Sequence, residues 1–427
     1  MADTLDAVFR REAGRCTATL VRALGDVDLA EEAVAEAFAI AAERWPARGV
    51  PANPGGWITT TARNRAIDRL RRESTRTDRA IAAHRLHPTG PAPEDRTGEL
   101  EALDALVDVV ADDQLRLLFL CCHPALAPDA QVALTLRLLG GLDTPTIARS
   151  FLVSEATMAQ RIVRAKRKLR DNHARSRVPP AAELPGRLRA VLATIYLVYT
   201  EGHTATSGPS LTRSELAGEA IRLGRVLTEL APDEPEALGL LALMLLTEAR
   251  RPARTDAEGS LVRLADQDRS RWDRALVAEG HQLVRRCLRR GRPGPFQVQA
   301  AIAAVHADAP TAEATDWSQV VALYDQLHAL RPDPVVALNR AVAVAELDGP
   351  GAGLAALAGL DPAALDAYQP YHAARADLLA RAGHSEAATA AYDRALELTT
   401  NPAERRFLAG RRAGVALSSP RRGSRRG

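Results

Sequence analysis

The segment at residues 142–170, LDTPTIARSFLVSEATMAQRIVRAKRKLR, constrains the fold more than any other part of the chain. Thr144 before Pro145 supplies a capping hydroxyl and a first-turn proline, which together predict the start of a helix. Ser154 can cap a second helix in the same way. Two helix starts this close together leave room for one short helix and a tight corner, so the segment predicts a helix-turn-helix.

Apolar side chains recur in this segment at helical spacing and are expected to form its core. They are Ile147, Ala148, Phe151, Leu152 and Val153 at the corner and Ile162, Val163 and Leu169 in the second helix. The outer face carries hydrogen-bonding side chains first and cations later: Ser154, Glu155, Thr157, Gln160, Arg161, Arg164, Arg167 and Lys168. This order suits a helix that meets base edges with its N-terminal residues and phosphates with its later charges. The segment therefore predicts a DNA-binding surface, with a solvated charged face as the alternative.

Composition indicates an all-α protein with two or three domains. The chain has 427 residues, of which 46% are hydrophobic and only 4% aromatic, and β-branched alternating runs are rare. Because the net charge is only +3, affinity for nucleic acid must come from local patches. No apolar signal-peptide core opens the chain, and the aliphatic run at residues 238–246 is about half as long as a membrane span. These features predict a cytoplasmic protein without membrane association.

The chemistry-bearing residues do not suggest an enzyme. Cys16, Cys121, Cys122 and Cys287 have neither the spacing of a disulfide scaffold nor that of a zinc site, so buried reduced thiols are expected. No Ser/His/Asp set, metal cluster or phosphate loop stands out. We therefore expect no metal, no cofactor and no catalytic activity.

Two helices of opposite charge are predicted near the N-terminus. Residues 26–44 are acidic and carry a packing stripe of Leu29, Ala33, Ala37, Ile40 and Ala41. Acidic residues in a first turn stabilise the helix dipole, but Glu36 lies too deep for this explanation and is interpreted as a partner contact. Residues 57–72 place Trp57, Ile58, Ala62, Ile67 and Leu70 on one face and an arginine-rich surface on the other. That surface could stack on a base and follow a phosphate backbone, although a core anchor is the alternative role of Trp57.

Composition also predicts the domain boundaries. A first domain is expected at residues 4–80, a proline-rich linker at 81–99, and a second domain at 100–175 that contains helices at 103–121 and 129–139 before the helix-turn-helix. A large helical domain is expected at 183–415 and a disordered basic tail at 416–427.

The large C-terminal block contains traces of a repeat. Tyr324, Leu327 and Pro332 have the spacing of a tetratricopeptide second helix, and Tyr392, Ala395 and Thr400 repeat it after two periods of 34 residues. Small and apolar residues occupy further repeat positions: Ala337, Ala341, Val344, Ala376, Leu379, Gly383 and Ala388. The pattern predicts stacked helix pairs after residue 315 and is weaker before it.

Three stretches in this order, GDVDLAEEAVAEAF, PGGWITTTARNRAIDRLRR and DTPTIARSFLVSEATMAQRIVRAKRKLR, resemble the extracytoplasmic-function (ECF) sigma factors of bacterial RNA polymerase. The resemblance covers residues 4–172. The remainder, with YLVYTEGHTATSG and DQDRSRWDRAL, looks like the subgroup that carries a C-terminal tetratricopeptide extension. It implies a non-enzymatic promoter-specificity subunit with two small helical sigma domains, region 2 and region 4.

The resemblance also implies roles for individual residues. Asp28, Glu32 and Glu36 would contact the clamp of the largest polymerase subunit, and region 4 would contact the flap of the second subunit. Residues 46–55 would capture a flipped base, because the free-energy cost of flipping a base is lowest where the DNA is melting. The −10 element would meet Trp57, Arg63, Asn64, Asp68, Arg71 and Arg72, and the −35 element would meet the outer face of the second helix of the helix-turn-helix. Ala35 and His203 depart from the family, which has glutamine and tyrosine there.

Two other functions remain open at this stage. A stand-alone helix-turn-helix regulator fused to a protein-binding scaffold would bind DNA without polymerase, but it leaves the arginine-rich helix at 57–72 unexplained. A purely structural repeat adaptor would use its basic helix only as a solvated face. The repeat block is expected to bind a protein partner or to regulate the first two domains.

Overall fold

The structure is a computed structural model that describes residues 2–82, 106–151, 153–172, 174, 179, 183–203, 214–256, 259–399 and 401–418. Within these ranges the chain forms α-helices and short 3-10 turns and no strand, apart from an isolated bridge between Thr255 and Leu261. The all-α prediction is confirmed. None of the described helices combines the length and the apolar character needed to cross a membrane. The chain divides into two compact units, Met1–Ile195 and Tyr196–Gly427.

The helices follow one another along the chain with short connections. Those from the first to the eighth are α1 (Ala2–Leu24), α2 (Val27–Arg48), α3 (Pro54–Ala82), α4 (Leu106–Cys121), α5 (Pro128–Leu138), α6 (Thr144–Ser150), α7 (Glu155–Asp171) and α8 (Leu184–His203). The later ones are α9 (Ser214–Leu230), α10 (Pro235–Glu248), α11 (Arg274–Arg290), α12 (Pro295–Asp308), α13 (Trp317–Leu330), α14 (Pro334–Asp348), α15 (Pro350–Ala358), α16 (Pro362–Leu365), α17 (Gln369–Arg381), α18 (Ser385–Leu398) and α19 (Pro402–Ser418).

In the first unit α1 packs against α2, α3, α4 and α5. A close approach occurs at Gly14, where a Cβ atom would lie 2.4 Å from the carbonyl oxygen of Leu139, just after α5. Only glycine allows two backbones to come this near. Helix α1, in the region predicted as the first domain, thus packs on α4 and α5 of the region predicted as the second, and the domain boundaries stay a prediction.

The second helix is longer than predicted. It was expected at residues 26–44 but runs through Pro46 to Arg48, and it ends at Gly49, whose φ of 81° suits a residue without a side chain. The reason is tertiary: Trp45 is buried and packs edge-on against Trp57, with 5.5 Å between ring centroids. The predicted base-capture loop at 46–55 shortens accordingly to residues 49–53 between α2 and α3.

The third helix also differs from its prediction. It continues to Ala82, beyond the expected end at residue 72. Leu70 was expected to face inward but is 46% exposed, and Ala66 occupies the inward position instead. The proline-rich linker lies mostly outside the described residues, as does residue 419 onward of the basic tail.

The second unit is built from consecutive helices that pack on their neighbours in the chain, α13 on α14, α14 on α15, α17 on α18 and α18 on α19. Several predicted repeat positions are buried: Leu327, Ala341, Ala376, Leu379, Ala388, Tyr392 and Ala395. Gly383 has the positive φ, 83°, of a residue that ends a helix. Thr400 lies outside the described residues. The tetratricopeptide assignment itself stays a prediction.

Candidate nucleic-acid interface

Helices α6 and α7 form the predicted helix-turn-helix around a small buried core. Its fully enclosed side chains are Ile147, Ala148, Met158, Ile162, Ala165 and Leu169. In α7 the buried residues follow a spacing of four, three and four, which is one face of a helix. Val163 was predicted to face inward with Ile162 but is 61% exposed, because it lies about 100° further around the helix.

The caps of this motif are partly as predicted. Ser154 caps α7, since its side chain accepts a hydrogen bond from the Thr157 backbone N–H at 3.2 Å. At α6 the predicted cap was Thr144, but Asp143 performs this role: its carboxylate accepts from the Thr146 N–H at 2.8 Å. Aspartate is at least as favourable as threonine at the N-cap position. With Asp143 as the cap, Pro145 lies within the first turn of α6.

The N-terminal part of the α7 surface presents polar side chains to solvent. Ser154, Glu155, Thr157 and Gln160 are all exposed, and the hydroxyls of Ser154 and Thr157 lie 2.8 Å apart. These groups offer both donors and acceptors, which readout of base edges requires. Their exposure is compatible with the predicted −35 contact.

The arginines of α7 differ in their surroundings. Arg161 lies over the Phe151 ring, 5.5 Å from its centroid, and its Nη1 is 3.4 Å from Asp129 Oδ2. Arg164 folds back to donate to the Gln160 carbonyl at 3.3 Å. Arg167 and Lys168 are exposed and form no ion pair with any described residue. The latter two are therefore the cations of α7 best placed for phosphate contacts.

On α3 the predicted −10 residues lie along one outer surface. Arg63, Asn64, Asp68, Arg71 and Arg72 are exposed. Trp57 is half-buried, so the structure gives it a packing role against Trp45 while part of its ring stays accessible. The start of α3 is capped by Asn53, whose side chain accepts from the Gly56 N–H at 2.9 Å.

Two of the three predicted polymerase contacts on α2 form ion pairs within the chain. Glu32 pairs with Arg69 of α3. Asp28 pairs with two residues of α7, its Oδ1 lying 2.8 Å from Lys166 Nζ and its Oδ2 3.0 Å from Arg170 Nη1. Glu36 is exposed. Sequence reasoning interpreted Asp28 as a contact for another protein and did not anticipate this internal pairing.

Lys166 is the centre of the contact between α2 and α7. It is 11% exposed and lies between Asp28 and Glu31, with 2.6 Å between Nζ and Glu31 Oε2. Glu31 also pairs with Arg137 of α5. Burial disfavours the charged ammonium, but the two carboxylates outweigh burial and raise the pKa of Lys166 above its ordinary value. We name these five residues, Asp28, Glu31, Arg137, Lys166 and Arg170, the α2–α7 ion-pair cluster.

The cysteines do not form a chemical site. All four thiols are free and buried, as predicted. Burial raises the pKa of Cys16 and that of Cys122 to about 11, so both stay protonated. Among the described residues no group of histidine, cysteine and carboxylate side chains could hold a metal ion.

Three family models match separate parts of the chain. The sigma-70 region 2 model matches residues 8–76, which include α2 and most of α3. The sigma-70 region 4 model matches residues 116–169, which include the helix-turn-helix. Residues 187–288 match a family of unknown function, DUF6596.

Two relatives extend these matches. An uncharacterized protein of Rhizobium meliloti (strain 1021) is 43% identical over 411 residues, which cover 96% of this chain and 95% of the relative. A protein of Mycobacterium tuberculosis named "Probable ECF RNA polymerase sigma factor SigI" is 26% identical over 179 residues, 42% of this chain and 59% of the relative. No solved structure matches the chain.

Proposed function

We propose that the chain is an ECF sigma factor with an additional C-terminal domain, and that it directs core RNA polymerase to promoters through contacts of α7 with the −35 element and of α3 with the −10 element. In this proposal α2 docks on the clamp of the largest polymerase subunit and region 4 meets the flap of the second. Nucleotide transfer belongs to the polymerase, and the site of action is the cytoplasm.

The observation that carries the proposal is the pair of outer surfaces on α3 and α7. Each presents polar groups and arginines to solvent on a helix whose opposite face is buried. A stand-alone regulator would need only α7. The second surface, with Arg63, Asn64, Arg71 and Arg72, is explained when a melted strand is also bound.

The ion-pair cluster adds a step to this function. A compact unit of this length has a radius of gyration of about 16 Å and thus a diameter of about 40 Å. Positions −35 and −10 are separated by about 25 base pairs, or about 85 Å of duplex at 3.4 Å per pair. The packed arrangement of α2 and α7 cannot reach both elements at once. We infer that the cluster opens when polymerase and promoter bind.

Run-off transcription tests the proposal. Purified core polymerase with this protein is expected to yield transcripts from promoters found by mapping the transcripts that depend on it in cells. Core polymerase alone serves as the control. Sequence-specific binding to duplex DNA, without core binding and without transcripts, would instead identify a stand-alone regulator. A protein that binds neither DNA nor core polymerase and yields no transcripts would be a structural adaptor.

The two kinds of arginine on α7 are expected to behave differently. Arg161→Ala should cost about 1–3 kcal/mol at one −35 position and relax specificity there if Arg161 leaves Phe151 to read a base. Arg167→Ala should weaken binding to every sequence. It should also lower the slope of log K against log[salt] by about one, because one phosphate contact is lost. Filter binding of polymerase holoenzyme to promoter variants at several salt concentrations measures both. Equal losses on all sequences for both variants would contradict this division.

For the second unit we propose a role in protein binding or in regulation of the sigma regions. Its consecutive helix pairs and the burial of small residues such as Ala341, Ala376 and Ala395 support a stacked helical scaffold. Such scaffolds offer extended concave surfaces. The proposal does not depend on the tetratricopeptide assignment.

A further inference from the structure

A cavity of about 510 Å³ lies within the second unit and is lined by Tyr196 of α8 and by residues of α10, α12, α13 and α14. One part of its wall is apolar and includes Leu243, Ile302 and Val336. Another part is polar and includes Arg250, His306 and Tyr324. A volume of this size falls within the usual range for small-molecule sites, about 300–1,000 Å³.

Arg250 is the unusual residue of this wall. It lies two residues after the end of α10, is partly buried, and its guanidinium forms no hydrogen bond or ion pair with any described residue. Burial and the charge of nearby Arg269 lower the pKa of Arg250. A buried charge without a counter-ion is unfavourable, so an arginine in this position calls for an anion.

The neighbouring charges do not provide this anion. Arg269 donates from Nη1 to the carbonyls of His306 and Ala309, at 2.5 and 2.7 Å, so its hydrogen-bond partners are backbone carbonyls rather than an anion. The nearby Glu248 carboxylate is bound by Arg251 at 2.5 Å. Arg331 at the cavity rim lies 3.6 Å from Asp333. Each of these charged side chains thus has at least one partner, whereas Arg250 has none among the described residues; Oε2 of Glu248 is also buried without a hydrogen-bond partner.

Two further groups of the wall are suited to a polar ligand. Burial, followed by the charges of Arg250 and Arg269, lowers the pKa of His306 to about 4, so this histidine is neutral at physiological pH. Its Nδ1 is buried and lacks a hydrogen-bond partner in the described part of the chain. Burial raises the pKa of Tyr324 to about 12, so its hydroxyl remains a donor. Unsatisfied polar groups of this kind are rare unless a ligand or water completes them.

A second cavity of about 570 Å³ shares His306 and Tyr324 with the first. Its cation Arg263 lies 2.7 Å from Asp266 and its carboxylate Glu346 lies 2.5 Å from Arg381, whereas Glu313 forms no ion pair with a described residue. The cation without a partner therefore belongs to the first cavity, at Arg250.

We propose that the Arg250 cavity binds a small organic acid, whose anionic group, carboxylate or phosphate, pairs with Arg250 and whose apolar body lies against Leu243, Ile302 and Val336. A guanidinium binds both groups in a bidentate manner, so the two share one recognition chemistry. The site is independent of the promoter-binding surfaces and gives the second unit a ligand-sensing role.

Calorimetric titration of the full chain tests the site with four probes: benzoate, hexanoate, phenyl phosphate and the neutral analogue benzamide. At least one of the anions is expected to bind saturably and to raise the Tm, and benzamide is expected to bind at least about tenfold more weakly than benzoate. Comparison of benzoate with phenyl phosphate distinguishes the two anionic groups. No saturable binding of any anion up to about 10 mM would overturn the proposal.

Variants separate a ligand-binding arginine from a structural one. Arg250→Gln should weaken anion binding at least about tenfold, and Arg250→Lys should retain part of it. Because Arg250 has no partner, Arg250→Gln should leave the Tm of the ligand-free protein unchanged or higher. The matched control is Arg290→Gln, an exposed arginine at the end of α11 that lies 2.7 Å from Asp233. Unchanged anion affinity in Arg250→Gln, or equal loss in the control, would contradict the assignment.

Discussion

Replacing Ile162 with asparagine is expected to unfold α7, whereas the same change at the adjacent Val163 should leave the helix intact. Ile162 is 6% exposed in the core of the helix-turn-helix, and Val163 is 61% exposed. Asparagine at 162 would remove buried apolar surface and leave an amide without partners, at a cost of at least about 3 kcal/mol. At 163 the amide is solvated, and the change should stay within about 0.5 kcal/mol.

Hydrogen exchange of the full-length protein measures this difference, because peptides from α7 report the local free energy of opening. Peptides from α10 serve as an internal control, since they belong to the second unit and should be unaffected. Equal protection of α7 in both variants would mean that Ile162 does not face the core as the structure shows. The result would then give no reason to place Ile162 rather than Val163 on the buried face.

Lys166→Gln is expected to shift the first unit toward an open arrangement in which α2 and α7 are separated. Lys166 contacts Asp28 and Glu31 at 2.8 and 2.6 Å and is largely buried. Loss of these charged hydrogen bonds should cost about 1.5–3 kcal/mol, which raises the open population roughly tenfold or more. Because binding to core polymerase requires α2 to be accessible, the apparent affinity for core should rise by a similar factor.

The matched control is Lys168→Gln, which changes the only other lysine of the chain, two residues along the same helix. Lys168 is exposed and forms no ion pair among the described residues, so its loss should not open the unit. Spin labels are attached at Ala35→Cys on α2 and Ala156→Cys on α7, both of which are exposed positions. Double electron–electron resonance then measures the distance between the two labels. The native thiols are buried and would not compete for the label.

A longer label distance should appear in Lys166→Gln and be absent in Lys168→Gln. If the two variants gave identical distance distributions, the ion-pair cluster would not hold the helices together. A double-mutant cycle of Asp28→Asn and Lys166→Gln provides a second test, because the two changes remove the same ion pair and their combined effect on the open population should be smaller than the sum of the single effects.

Local sequence rules predicted the helix content and most of the helix-turn-helix correctly. The cap at Ser154 and the buried positions Ile147, Ile162 and Leu169 depend on residues within a few positions of each other. Such short-range patterns can be found without a fold. Exposure of the arginines on α3 and α7 could be predicted for the same reason.

The errors have identifiable tertiary causes. The extension of α2 through Pro46 depends on the packing of Trp45 against Trp57. Leu70 and Val163 are exposed although they are apolar, because Ala66 on α3 and Ile162 on α7 lie on the faces that pack against the core. A hydrophobic side chain at roughly the right spacing does not reveal which neighbour is closest to a second helix.

The sequence by itself determined the helical class, the two helix surfaces suited to nucleic acid and the family resemblance, because all of these depend on residue type and local spacing. Only the tertiary structure decided that Lys166 pairs with Asp28, 138 residues earlier, and that Arg250 lines a cavity without a counter-ion. Whether a charge has a partner depends on the path of the whole chain. A lysine or arginine can therefore contact DNA, form an ion pair within the protein or bind a ligand, and its neighbours in space determine which of these roles it has.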